Sequence, residues 1–215
     1  SEQIAAGNGS NELLAALLTL VNREDAQIAV CDPTFSLYTA FIRINRLSIK
    51  KIPLNDDFSF PVEKLCAAAS HPRTGASILC SPNNPTGSVL SRKGLETILE
   101  ASESLVICDE AYLDFSPVRL SGLIRKYPGL VLTRTFSKAF SFSAGRLGYC
   151  IAHPDIIEHL YKIVPPYNLN GFVQRAGMLI LEHSEWIKKT AAEITAERER
   201  VRAGLETISG LRVYP

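Results

Sequence analysis

The sequence predicts an α/β domain built on a largely parallel β-sheet with helices packed on both faces. Apolar runs of strand length alternate with amphipathic runs of helical length, and the loops between them are short. The strand runs are apolar along their length, as strands buried on both faces must be. The polar residues that stand out fall just after the ends of those runs, where a parallel sheet binds its ligands.

In chain order, Ser10-Asn11-Glu12 opens a helix over Leu13 to Val21, with side-chain oxygens suited to capping its first turn. Gln27 to Cys31 is a short strand ended by Asp32-Pro33. Leu37 to Ile44 has helical spacing, and Ser48 to Ile52 is a strand. Val62 to Ala69 is a helix. Ala76 to Cys80 is a strand that runs into the Pro-Asn-Asn-Pro turn. Arg92 to Ala101 is a helix, Leu105 to Cys108 a strand, and Leu130 to Thr135 the strand that delivers a lysine-bearing segment. Leu147 to Ala152 is a further strand and Pro154 to Ile163 a helix. After Pro165-Pro166, helical sequence extends from Val173 to about Ile208. No internal repeat, low-complexity tract or linker divides the chain, so a single domain is expected.

Composition excludes several classes of function. The 215 residues carry 23 basic and 22 acidic side chains, for a net charge of +1. That balance lacks the clustered basic charge of a nucleic-acid footprint. Arg198, Arg200 and Arg202 alternate with Glu197 and Glu199 and read as a solvated helix face. No apolar run approaches the roughly 20 residues of a membrane helix. Cys31, Cys66, Cys80, Cys108 and Cys150 form no Cys-x-x-Cys pair, and four of them sit in or beside buried-strand runs. With no signal peptide in the first residues, this predicts reduced thiols and a cytoplasmic protein. His71, His153, His159 and His183 show no metal-ligand spacing, so no metal is expected.

The chemistry concentrates in three motifs: Ser-Pro-Asn-Asn-Pro-Thr-Gly at 81–87, Cys-Asp-Glu-Ala-Tyr at 108–112, and Thr135-Phe136-Ser137-Lys138 with Arg146 beyond it. A lysine that condenses with an aldehyde cofactor needs a dry, tight pocket that favours the neutral amine. A nearby arginine can clamp a phosphate with paired donors. Gly7-Asn8-Gly9 lacks the third glycine of a dinucleotide fingerprint, and no phosphate-loop motif accompanies Asp109-Glu110.

Together with Gly7-Asn8-Gly9-Ser10-Asn11-Glu12, Asp32 to Tyr38, Gly145-Arg146-Leu147-Gly148-Tyr149, Pro165 to Asn170 and Glu197-Arg198, these motifs cover nearly the whole chain. They resemble the class I/II, fold-type-I pyridoxal-phosphate aminotransferases, and within them the histidinol-phosphate aminotransferase branch. The resemblance implies a three-layer α/β/α large domain. Lys138 would carry the cofactor and shuttle a proton. Asp109 would pair with the pyridine nitrogen. Asn84 and Tyr112 would hydrogen-bond the phenolic oxygen, and Phe35 would stack on the ring or fill the core. Ser10 and Asn11 amides at a helix start, the Thr135 and Ser137 hydroxyls, and Arg146 would hold the phosphate.

The resemblance further implies transamination of histidinol phosphate with 2-oxoglutarate, hence small-molecule amino donor and keto-acid acceptor as partners, and a homodimer, with no nucleic acid and no membrane. The alternatives on this fold are the phosphothreonine decarboxylase of cobamide synthesis, whose relatives tend to carry Phe at the position of Tyr112, and a pyridoxal-phosphate-sensing regulatory domain without turnover. The family also carries an N-terminal arm ahead of Gly7 and a small C-terminal domain. Residues 1–215 are therefore expected to be a large-domain fragment whose cofactor cup is nearly complete and whose substrate site is not.

Overall fold

The computed structural model describes Glu2–Tyr214. One seven-stranded sheet runs through it, in the order β1-β7-β6-β5-β4-β2-β3. The strands are β1 (Ile4–Asn8), β2 (Gln27–Asp32), β3 (Ser48–Pro53), β4 (Thr74–Cys80), β5 (Leu105–Asp109), β6 (Leu130–Thr135) and β7 (Leu147–Ile151). The helices are α1 (Ser10–Leu20), α2 (Leu37–Ile44), α3 (Val62–Ala69), α4 (Arg92–Ala101), α5 (Pro154–Ile163), α6 (Gly171–Glu182) and α7 (Glu185–Glu206). β7 runs antiparallel to both of its neighbours, β1 and β6, and all the other strands point the same way.

The apolar strand runs are explained by a core on each face of the sheet. Because successive side chains point to opposite faces, Ile28, Val30, Ile78, Ile107 and Val131 face one core, with Leu13, Leu14, Leu17, Tyr38, Ile42 and Leu160 from α1, α2 and α5. Their neighbours Ala29, Leu79, Val106, Cys108, Leu130 and Leu132 face the other, with Leu65 and Leu95 from α3 and α4. The result is the three-layer α/β/α arrangement expected from the sequence. All five cysteines are free, and Cys31, Cys80, Cys108 and Cys150 are buried within strands.

Two features depart from the sequence reading. β1 was not anticipated; it pairs along its length with β7, Ile4 opposite Ile151 through Asn8 opposite Leu147. Ala5 is its one buried apolar residue and it contains Gly7, so its signal was weak. Helix α1 begins at Ser10 and not at Leu13, and its N-cap is Gly9. The helical stretches expected after Pro165-Pro166 are α6 and α7, which meet at His183-Ser184. Among the described residues no helix is long and apolar enough to cross a membrane.

The same strand parity separates two acids that are adjacent in sequence. Asp109 shares a face with Ile107, whereas Glu110 turns to the opposite one. There Arg134 Nε meets Glu110 Oε2 at 2.7 Å, with the Glu110 side chain fully buried and Arg134 17% exposed. Glu110 Oε1 has no hydrogen-bond partner. Burial pushes the Glu110 carboxyl above the usual glutamate range, against the pull of Arg134.

A carboxyl raised on folding contributes its stability below the ordinary glutamate pKa and loses it as pH rises through the folded value. Arg134→Met should therefore cost least near about pH 5 and most near about pH 8. There the uncompensated buried charge should destabilise by roughly 3–5 kcal/mol. Urea denaturation across that range measures it, and a penalty independent of pH would mean that Arg134 acts by packing alone.

Candidate active site

The parallel strands bring their carboxyl ends to one edge, and the site is assembled there. β1 ends at Asn8, just before Ser10 and Asn11. β2 leads to Phe35, β4 to Asn84, β5 ends in Asp109, and β6 ends in Thr135, just before Ser137 and Lys138. β7 runs the other way, so its start lies at the same edge, directly after Arg146. The residues surround a cavity of about 230 Å3. Ser10, Asn11, Phe35, Asn84, Asp109, Tyr112, Thr135, Ser137, Lys138 and Arg146 all line it, so every residue singled out from the sequence is present. Tyr38, Cys80, Ala111 and Ser143 line it too and were missed.

One end of the cavity is built to receive an anion. Gly9, at φ 79°, occupies the left-handed region that glycine tolerates, and α1 starts directly after it with no side-chain cap. The expected capping by Ser10 is therefore absent. The first amides of α1 have no partner within the helix and lie at the positive end of its dipole. Glu12 faces away from this end: its carboxylate accepts the Asn8 N–H at 2.7 Å and the Asn168 Nδ2–H at 2.6 Å. Arg146 is exposed and lies against Gly9. Its Nη1 donates to Ser137 Oγ at 3.3 Å and to the Ser143 carbonyl at 3.0 Å. Thr135 Oγ1 accepts the Ser137 N–H at 3.1 Å.

The other end carries a buried acid. Asp109 is 3% exposed. Its Oδ2 accepts the Tyr38 hydroxyl at 2.7 Å and its Oδ1 accepts the Ala111 N–H at 3.1 Å. Burial raises its pKa, and those two hydrogen bonds oppose the rise. Lys138 Nζ stands 5.1 Å from the centroid of the Tyr112 ring, and Asn84 Nδ2 donates to the Tyr112 hydroxyl at 3.4 Å. Neighbouring Asn83 serves the turn instead. It accepts from Thr34 Oγ1 at 2.8 Å and donates to the Pro33 carbonyl at 3.1 Å, leaving Asn84 to face the cavity.

Two expectations need refinement. Lys138 was expected in a dry, tight pocket, yet it is exposed where it lines the cavity. Phe35 combines both roles considered for it: it lines the cavity, it packs against the core, and it meets Tyr38 edge-on at 5.4 Å. Tyr38 was legible in principle. It follows Phe35 by three residues across the turn that opens α2, where the Tyr38 N–H donates to the Phe35 carbonyl at 3.2 Å.

The cavity thus brings together an uncapped helix start with an arginine, a buried carboxylate, an amine and aromatic rings. Among the described residues no group of His, Cys, Asp or Glu could hold a metal ion. The chain belongs to the class I and II aminotransferase family, which it matches over residues 1–215. It is 38% identical over 215 residues to the histidinol-phosphate aminotransferase of Thermococcus kodakarensis, covering all of this chain and 61% of that protein. The chain therefore spans about three fifths of that relative's length.

Among solved structures, a candidate histidinol-phosphate aminotransferase from Erwinia carotovora atroseptica superposes with a TM-score of 0.91 at 26% identity, covering all of this chain and 64% of the other. The histidinol-phosphate aminotransferase of Sinorhizobium meliloti, solved with pyridoxal-5'-phosphate, shares the fold at 24% identity and a TM-score of 0.91, covering all of this chain and 59% of that one.

The anion end depends on close backbone approach. A methyl group at Gly148 would overlap the backbone nitrogen of Ser10, so only glycine lets the start of α1 rest on β7. Gly148→Ala should cost about 1–3 kcal/mol by overpacking and lower Tm by roughly 3–10 °C. Thermal unfolding followed by circular dichroism measures it. An unchanged Tm would show that the helix start can shift without penalty.

Proposed function

We propose that this chain is the cofactor-binding large domain of a pyridoxal-phosphate aminotransferase acting on histidinol phosphate, with 2-oxoglutarate as the partner keto acid. The observation that carries this reading is the set of groups brought to one cavity: an uncapped helix start with an arginine beside it, a lysine and a buried carboxylate. The residues fit the cofactor at both ends, since orphan amides suit a phosphate and a buried carboxylate suits a protonated pyridine nitrogen. Bound pyridoxal phosphate supplies the electron sink for the pair of electrons released at the substrate α-carbon.

In this reading Ser10, Asn11, Thr135, Ser137 and Arg146 hold the phosphate, and Asp109 holds the proton on the ring nitrogen. Asn84 and Tyr112 donate to the phenolic oxygen, and Phe35 lies against the ring. Lys138 would hold the cofactor through Nζ and would move the proton at the substrate α-carbon. Two half-reactions at one site imply ping-pong kinetics.

Family membership and the 38% identity to the Thermococcus kodakarensis enzyme support the histidinol-phosphate branch. Tyr112, where the decarboxylase branch tends to carry Phe, favours it over phosphothreonine decarboxylation. The large-domain reading is supported by the share of the relatives that the chain spans and by large apolar side chains left exposed on α6 and α7. Phe172 is 91% exposed and Trp186 43%. A homodimer in which such surface is covered belongs to the same reading. Five free cysteines support a reducing, cytoplasmic setting.

Borohydride reduction of the cofactor-loaded protein, expressed from its full reading frame, should fix the pyridoxyl mass on a peptide containing Lys138. A label on another lysine removes the assignment. Arg146→Ala should weaken pyridoxal-phosphate affinity roughly 10- to 150-fold, the loss of one charge-assisted pair. Equilibrium dialysis tests this, and unchanged affinity would return Arg146 to the solvent. Product analysis with histidinol phosphate and phosphothreonine side by side separates the two branches: imidazole-acetol phosphate with glutamate supports transamination, and carbon dioxide from phosphothreonine overturns it.

A further inference from the structure

Asp109 is held by a residue that the roles above leave unused. Tyr38 lies on α2, 1% exposed, among the side chains of the α1, α2 and α5 core. Strand parity turns Asp109 toward that same core, and the Tyr38 hydroxyl meets its Oδ2 at 2.7 Å. Phe35 packs edge-on against Tyr38 at 5.4 Å and fixes the ring from the cavity side. The second carboxylate oxygen accepts the Ala111 amide at 3.1 Å, and Thr133 on the neighbouring strand lies opposite.

The surroundings give that hydroxyl its importance. Burial disfavours the ionised form of Asp109. The other titratable groups near it are the Cys80 thiol from β4 and Lys138 beyond β6, with its chain neighbours Cys108 and Glu110 turned to the opposite face. Burial pushes Cys80 up to about 12 and raises Cys108 well above the ordinary thiol range, so both thiols stay neutral. Glu110 is engaged by Arg134. Tyr38 is itself pushed well above its ordinary range, first by burial and then by the charge of Asp109, so it remains a donor.

We propose that Tyr38 is a positioning residue for the reaction: its hydroxyl keeps Asp109 ionised and aimed, so that the carboxylate can hold a proton on the ring nitrogen of the bound cofactor. The inference rests on the role given to Asp109 above. A hydrogen bond to a charged group of ordinary strength corresponds to about one to two pH units in the titration of its acceptor.

The test has one arm without cofactor and one with it. In the cofactor-free protein labelled with [4-13C]aspartate, the Asp109 carboxyl resonance, assigned by its loss in Asp109→Asn, is followed against pH. Tyr38→Phe keeps the ring and removes the hydroxyl, and should raise the Asp109 midpoint by about one to two units. Replacing Tyr38 with a difluorotyrosine, a stronger donor of nearly the same shape, should lower it, a change of sign that packing alone would not produce. This second replacement serves should Tyr38→Phe fail to fold.

In the full reading frame loaded with 15N-labelled pyridoxal phosphate, the wild type should show a pyridinium ring nitrogen, and Tyr38→Phe should move that resonance toward neutral pyridine. A neutral ring nitrogen in the wild type would overturn the role of Asp109 and this inference with it. A pyridinium in both proteins with an unmoved Asp109 midpoint would overturn the role of Tyr38 alone.

Discussion

A carboxylate without solvent at the end of the middle strand of the sheet is the constraint on which this site is organised. Taking an ionised group out of water is costly unless donors replace the lost hydration. Asp109 meets that requirement with two donors from separate parts of the chain: the Tyr38 hydroxyl from α2 and the Ala111 amide from the turn after β5. Both are available only if β5 lies between β4 and β6 and α2 is docked on the sheet. Glu110 solves the same problem differently on the opposite face, where Arg134 from β6 supplies a full counter-charge. Adjacent acids thus acquire one neutral and one ionic partner, and the alternation of a strand is what separates them.

At the other end of the cavity the demands are reversed. An anion is favoured there by unpaired backbone amides and a helix dipole, and these help only if the backbone itself comes close. Gly9 and Gly148 provide that closeness: the first adopts a positive φ, and the second leaves room for the start of α1 above β7. Arg146 then reaches across from the loop ahead of β7 to Ser137 and Ser143, joining the α1 start to the segment after β6. The Asn8–Glu12–Asn168 cluster ties the same corner to the loop before α6 and turns the first-turn carboxylate of α1 away from the cup. One cavity therefore carries two opposite electrostatic preferences, and Lys138 lines it with both.

Sequence alone determined the architecture and most of the site, because both follow from local chemistry. Continuous apolar strand runs leave a sheet no choice but to be covered on both faces. Turn-forming Asn-Pro pairs, a Ser-Lys segment and an Asp-Glu pair at strand ends are visible wherever a parallel sheet collects its loops. Even the opposite orientation of Asp109 and Glu110 is implied by strand parity. What only the tertiary structure decided are the partnerships across distance. β1 has little buried apolar surface of its own and exists because β7 offers it an edge. Ser10 carries a good capping side chain, yet Gly9 takes the cap because the approach to β7 requires a backbone conformation that serine disfavours. Lys138 reads as a residue for a dry pocket, but its exposure depends on what packs over the cavity mouth. Tyr38 reads as one more core aromatic, since the carboxylate it meets lies far along the chain and nothing local to either residue encodes the hydrogen bond between them.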